Sequence, residues 1–88
     1  MTYRVEVKPS AADTLAKISE PHRRRIVRKI DRLADNPRPR GAILLEGPSS
    51  LYRIRVGDYR IIYQIQDAAL VVLVVRVGHR GDVYRHLP

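Results

Sequence analysis

Hydrophobic and polar residues alternate along two neighbouring stretches in the second half of the chain, Leu51–Val56 and Tyr59–Gln66. Alternation with a period of two is typical of a β-strand with one buried face. Gly57 and Asp58 stand between the two stretches, and both residue types tolerate the positive φ of a tight turn. The pattern therefore predicts a β-hairpin with one face of tyrosine, isoleucine and valine and an opposite face on which arginine recurs.

Two helices and one strand are predicted before the hairpin, and one strand after it. Tyr3–Lys8 alternates like a strand with one wet face. A short helix with Ser10 as its N-cap follows, and a second, amphipathic helix ends near Asp35. Leu70–Val77 is a nearly unbroken aliphatic run, which is typical of a strand covered on both faces.

This order, β-α-α-β-β-β, predicts an α+β fold in which an N-terminal helical hairpin covers one face of a small antiparallel sheet. The last three strands should pair as a meander, and the first strand joins an edge or lies parallel beside the last. Residues 41–45 form either a short edge strand or an ordered loop. At 88 residues, the chain is expected to be a single domain, 1–88. The residues of the last strand expected to face the helices are Val71, Leu73, Val75 and Val77.

Composition narrows the choice of partners and location. The 17 basic and 9 acidic residues give a formal net charge of +8, which predicts affinity for nucleic acid, a ribosome or an acidic protein. Fourteen of the 17 cations are arginine, which suits bidentate phosphate contacts. The chain has no cysteine, so we expect no thiolate metal site and a reducing, cytoplasmic location. The longest apolar run, Ala68–Val75, is too short to span a bilayer, and no membrane partner is expected.

Arginines on the predicted open face of the sheet are the candidate chemistry. Arg53, Arg55 and Arg60 share that face with no carboxylate between them, and such a cluster repels itself unless an anion binds. Further polar residues emerge at the end of the last strand, close to this face. The candidate site on one concave sheet surface, with RNA phosphate as its anion, comprises Arg53, Arg55, Arg60, His79, Arg80 and Tyr84.

Two motifs of the chain resemble the RelE family of bacterial toxins, within the wider RelE/ParE superfamily. They are YRIRVGDYRIIY at residues 52–63 and VGHRGDVY at residues 77–84, and the resemblance extends over nearly the whole chain. It implies a small antiparallel sheet with an N-terminal helical hairpin. It also implies a toxin that cuts mRNA in the ribosomal A site without a metal or other cofactor, and a cognate antitoxin that blocks it.

The resemblance also implies roles for individual residues. Arg53 and Arg55 match a pair of basic residues that are often lysine, and Arg60 and Arg80 match arginines that hold and polarise the phosphate. Tyr84 matches a tyrosine that stacks on or orients the substrate. Because arginine stays protonated, Arg53 and Arg55 are poor general bases. We therefore take His79 as a candidate base or acid, since histidine changes charge near neutral pH.

Other interpretations of the same residues stay open at this point. Arg53 and Arg55 fit the wet face of an ordinary strand, His79 fits a turn, and Tyr84 fits packing at the edge of the domain. Two further functions also compete with the nuclease. One is a ParE-like toxin that binds DNA gyrase and cuts nothing, and the other is a non-enzymatic module that binds RNA or the ribosome.

Overall fold

The computed structural model describes residues 2–45, 47 and 50–83. No helix of this described part is long and apolar enough to cross a membrane. Its elements in chain order are β1 Arg4–Val7, α1 Pro9–Lys17, α2 His22–Arg32, β2 Ile43–Leu44, β3 Leu51–Val56, β4 Tyr59–Gln66 and β5 Val71–His79.

The strands form one five-stranded sheet in the order β1-β5-β4-β3-β2. Strands β3, β4 and β5 pair antiparallel as the predicted meander, and β1 lies at an edge, parallel to β5. The long path through two helices allows this parallel pairing. The α+β fold predicted from the sequence is confirmed, and the two-residue β2 adds a short edge strand beside β3.

The first helix starts differently from the prediction. It begins at Pro9, with Lys8 as its N-cap and no side-chain cap bond, so Ser10 is not the N-cap. Proline fits the first helical turn because its fixed φ is helical and the N–H that it lacks would have no partner there. In α2, Ile26 and Ile30 lie one turn apart and are both buried, as the amphipathic pattern predicts.

The main core lies between the helices and one face of the sheet. Ile26, Ile30 and Leu33 are at most 4% exposed, and Ala11 of α1 joins them. The buried residues that the sheet contributes to this core are Ile54, Ile61, Tyr63, Val72, Val74 and Val77.

The face assignment predicted for the first part of β5 is wrong. Val72 and Val74 belong to the core beneath the helices, whereas Val71 and Leu73 do not. An aliphatic run that is covered on both sides has no polar face, so its sequence does not indicate which residues turn to the helices.

A β-bulge in β5 then reverses the alternation. Ile62 of β4 pairs with Arg76, but the next residue, Tyr63, pairs with Val74, which leaves Val75 as an extra residue. Val77 consequently faces the helices as predicted, while Val75 packs on the other side of the sheet.

A network of polar side chains joins the start of β1, the segment after α2 and the β4–β5 turn. Arg38 donates to both carboxylate oxygens of Asp67, at 3.2 and 2.8 Å, and the Tyr3 hydroxyl donates to Asp67 Oδ1 at 2.6 Å. The hydrogen bonds from Arg38 and Tyr3 lower the pKa of Asp67 to about 2. Beneath this network the buried Tyr63 hydroxyl donates to the Pro37 carbonyl at 2.8 Å, and burial raises the pKa of Tyr63 to about 12.

Candidate functional site

Two rows of paired residues cross the sheet face opposite the helices. Arg53 pairs with Ile62, which pairs with Arg76. In the next row, Arg55 pairs with Arg60, which pairs with Gly78. Residues that lie directly opposite each other on neighbouring strands point to the same face. The register therefore places four arginines on one surface, called the arginine face below: Arg53, Arg55, Arg60 and Arg76.

Arg60 is held firmly in the sheet. It is only 8% exposed, and its Nη1 donates to the carbonyls of Gly57 at 3.4 Å and Tyr59 at 3.2 Å. Both acceptors belong to the β3–β4 turn region, so one side of the guanidinium is anchored to the backbone. An arginine fixed in this way can present its remaining N–H groups to an anion with little loss of side-chain freedom.

Arg53 carries an unsatisfied donor. Its Nε is buried and makes no hydrogen bond within the described part of the chain. A buried donor without a partner costs about 1–3 kcal/mol, and more where the group is charged. An oxygen of a bound anion would satisfy this N–H.

The arginine face also contains a directly opposed pair of like charges. Arg55 and Arg60 face each other across β3 and β4. Like charges in such a cross-strand pair are destabilising, by roughly 0.2–1 kcal/mol on the scale of pairwise effects. A phosphate between or above the two guanidinium groups would turn this repulsion into attraction.

The segment after β5 folds back and borders the arginine face. Residues 80–83 form a turn in which Asp82 N and Val83 N both donate to the His79 carbonyl at 3.1 Å. Val83 is 1% exposed and packs with Leu51 and Ile62 in a second apolar cluster. A Cβ placed on Gly78 would lie 3.6 Å from Val83. The arginine face is therefore flanked by the segment after β5, and is not an open sheet surface on that side.

His79 lies on the other side of the sheet from the arginines. It pairs with Tyr59, and its ring packs edge-on against the Tyr59 ring at 5.6 Å, on the side where α2 contributes His22. Its Nδ1 lies 3.2 Å from the Arg80 carbonyl. The expected grouping of His79 with the arginines is not what the structure contains. The physical reason is the strand alternation itself, which gives His79 the same face as Val77.

Arg80 begins the turn beyond β5, and its backbone N–H donates to the Asp58 carbonyl at 2.8 Å. This hydrogen bond brings Arg80 to the β3–β4 turn, next to the residues that anchor Arg60. Its side chain is exposed. Tyr84 lies outside the described residues.

Arg76 was not among the site residues predicted from the sequence. Its pairing with Ile62 places it on the arginine face, in the same row as Arg53. The signal was the alternation around Val77, which already assigned Arg76 to the face away from the helices.

Within the described residues, no group of three or more histidine, cysteine, aspartate or glutamate side chains is placed to hold a metal ion.

Comparison with known proteins defines the class of protein. A sequence model described as the ParE toxin of the parDE type II toxin–antitoxin system matches residues 5–84. A putative RelE-like toxin protein of Escherichia coli is 32% identical over an alignment that covers 96% of this chain and 92% of the relative. The mRNA interferase toxin RelE of Escherichia coli K12 is 30% identical over the same shares of the two chains.

Solved structures agree in fold. The RelE–RelB complex of Pyrococcus horikoshii contains a chain that is 36% identical and superposes with a TM-score of 0.81, covering 92% of this chain and 98% of that chain. The mutant RelE toxin of Escherichia coli in its free state superposes with a TM-score of 0.79 at 27% identity, covering 96% and 92% of the two chains. The chain therefore belongs to the RelE family, a class of toxins in type II toxin–antitoxin systems.

Proposed function

We propose that this toxin is an endoribonuclease that cuts mRNA in the ribosomal A site and thereby stops translation. The arginine face of a RelE family chain is the observation that carries the proposal. That face combines an anchored Arg60, a buried unpaired N–H on Arg53 and the opposed charges of Arg55 and Arg60. A relative of about 30% identity, the RelE toxin of Escherichia coli K12, is itself named an mRNA interferase.

The reaction that suits such a face is attack by an RNA 2′-hydroxyl on the adjacent phosphorus. The P–O bond to the 5′-oxygen of the next nucleotide breaks, which leaves a 2′,3′-cyclic phosphate and a 5′-hydroxyl. The pentacovalent transition state carries more negative charge than the bound phosphodiester. The guanidinium groups of Arg53 and of the backbone-anchored Arg60 therefore stabilise the transition state more than the ground state.

Proton transfer is the second requirement of this reaction, because the 2′-oxygen loses a proton and the 5′-oxygen gains one. His79 stays a candidate from the sequence, and its position on the helix side of the sheet requires the RNA to pass the end of β5 to reach it. A His79→Ala protein tests the role directly. Cleavage at the wild-type rate would exclude His79 and leave proton transfer to Tyr84, to water or to the ribosome.

An antitoxin partner follows from the family and from the solved neighbours. The similar Pyrococcus horikoshii protein was crystallised with RelB. For this chain we propose a cognate antitoxin with an acidic or amphipathic segment, since the net charge of +8 favours an acidic partner.

The test of the function is primer extension on mRNA in programmed ribosomes and on naked mRNA. We expect discrete cuts in the A-site codon with the wild type, and none with an Arg80→Ala, Tyr84→Ala protein. A supercoiling assay with DNA gyrase is the control, because the matching sequence model is named for ParE. Inhibited gyrase together with intact mRNA would contradict the nuclease proposal and indicate a ParE-like toxin instead. Stalled ribosomes with intact mRNA would indicate a ribosome-binding module.

A further inference from the structure

A second cationic surface adjoins the arginine face at Arg55 of β3. It is a cleft of about 310 Å³ between α2 and β3, called the α2 cleft below. Strand β2 pairs only with the Tyr52–Arg53 part of β3, so the edge at residues 54–56 carries no further strand within the described residues. The α2 cleft is lined by Arg25, Arg28, Lys29, Arg32, Arg55 and Val56.

The cations of this cleft differ from the others on the same helix. Arg23 and Arg24, near the start of α2, are paired with Glu20 at 3.1 and 2.9 Å. The side chains of the five cations of the α2 cleft make no hydrogen bond or ion pair with any described residue. Unneutralised charges this close together repel one another, and a bound polyanion would remove the repulsion.

The α2 cleft joins the arginine face around the β3–β4 turn. Arg55 belongs to both surfaces. The Arg25 Nη2 lies 3.0 Å from the place where a side chain on Gly57 would begin, and Arg60 donates to the Gly57 carbonyl. A continuous cationic band thus runs from Arg60 past the turn to α2, where the row from Arg25 to Arg32 adds about 10 Å.

We propose that the α2 cleft binds the phosphodiester backbone of RNA, as a contact separate from the phosphate that is cut. The proposal rests on the proposed function for the choice of RNA as the polyanion. Its lining contains no aromatic ring on which a base could stack, so the contact reads backbone rather than sequence. Val56 is the single apolar residue of the lining, whereas protein interfaces have an apolar core. The chemistry therefore favours RNA over an acidic protein.

The test compares two double variants that remove the same charge. Arg28→Gln, Arg32→Gln changes the α2 cleft, and glutamine keeps a good helix propensity. Arg4→Gln, Arg24→Gln is the control, because both arginines are exposed and paired with glutamate. Binding is measured against salt concentration with two probes: a single-stranded RNA oligonucleotide blocked by 2′-O-methyl groups, and small ribosomal subunits without mRNA.

The slope of the log association constant against log salt concentration is negative. For the cleft variant on the oligonucleotide, we expect this slope to be shallower by about 1.4, at about 0.7 for each of the two lost contacts. Between about 50 and 200 mM salt, the cleft variant should therefore lose about sevenfold less affinity than the wild type loses. The control should keep the wild-type slope. A change on the oligonucleotide alone assigns the cleft to mRNA, and one on the subunits alone assigns it to ribosomal RNA.

Equal slopes for the two double variants on both probes would overturn the proposal. A second result would also overturn the proposal: a cleft variant that binds RNA like the wild type but no longer co-purifies with its co-expressed antitoxin. The α2 cleft would then be a binding site for the antitoxin protein. A chain that binds RNA through the cleft but cuts no mRNA would contradict the proposed function alone.

Discussion

Removal of the Tyr63 hydroxyl tests how the sheet is tied to the segment after α2. Tyr63 is fully buried, and its hydroxyl donates to the Pro37 carbonyl at 2.8 Å. Tyr63→Phe removes one buried hydrogen bond, worth about 1 kcal/mol, and leaves a buried carbonyl without its donor, at a further cost of about 1 kcal/mol. We expect a loss of about 2 kcal/mol of stability, or about 8–16 °C in Tm for a domain of this size.

The pH dependence supplies a second signature of the same side chain. Burial raises the pKa of Tyr63 to about 12, against the value of 10.0 expected in the unfolded chain. A group whose pKa is raised by folding stabilises the fold fully below its unfolded value and loses that contribution as pH rises through the folded value. The wild type should therefore lose stability between pH 10 and 12, and Tyr63→Phe should lose less.

Urea unfolding at neutral pH and across this alkaline range measures both effects. Tyr52→Phe is the matched control, because Tyr52 is only partly buried and its hydroxyl accepts from Arg38 Nε at 3.1 Å in an exposed hydrogen bond. If the two variants lose equal stability at neutral pH, the hydrogen bond from Tyr63 to Pro37 does not stabilise the fold. If the Tyr63→Phe protein shows the full alkaline loss, the raised pKa of Tyr63 is not the cause of that loss.

Three further changes have defined outcomes. Asp67→Asn should destabilise the protein at neutral pH, because the Arg38 hydrogen bonds that lower the pKa of Asp67 to about 2 are lost. In acid unfolding, the difference in stability from the wild type should vanish as pH falls from about 4 to about 2, since the protonated wild type then loses the same ion pair. Gly57→Ala should cost about 1 kcal/mol in urea unfolding, because Gly57 has a φ of +60°. Val83→Ala should cost about 1.5–3 kcal/mol, whereas Val27→Ala, at a site that is 39% exposed, should cost under about 1 kcal/mol by calorimetry.

The sequence predicted the hairpin and its faces well because polar residues recur there at every second position, with Leu51 and Ile62 as the two exceptions. Arg53, Arg55 and Arg60 could be assigned to one surface from that alternation alone. The helical core positions Ile26 and Ile30 followed equally directly from their spacing. In each case a polar residue on the opposite face marks which side is wet.

The last strand could not be predicted in the same way. Its residues are apolar on both sides, and the bulge at Val75 depends on how β4 and β5 meet rather than on any local residue type. The α2 cleft was also beyond the sequence, because it requires knowing that β2 covers only part of the β3 edge. Both features come from contacts between elements that are far apart in the chain.

The rate at which ribosome-bound mRNA is cut in a single turnover tests the central claim most directly. The wild type is compared with the double variant Arg53→Gln, Arg60→Gln and with the charge-matched double variant Arg4→Gln, Arg24→Gln. Urea unfolding first shows that all three proteins are folded. We predict that the arginine-face variant is slower by about 100-fold or more, that the control cuts like wild type, and that the fragments carry 5′-hydroxyl ends. Cleavage by the arginine-face variant at the wild-type rate would contradict the claim that this face stabilises the transition state.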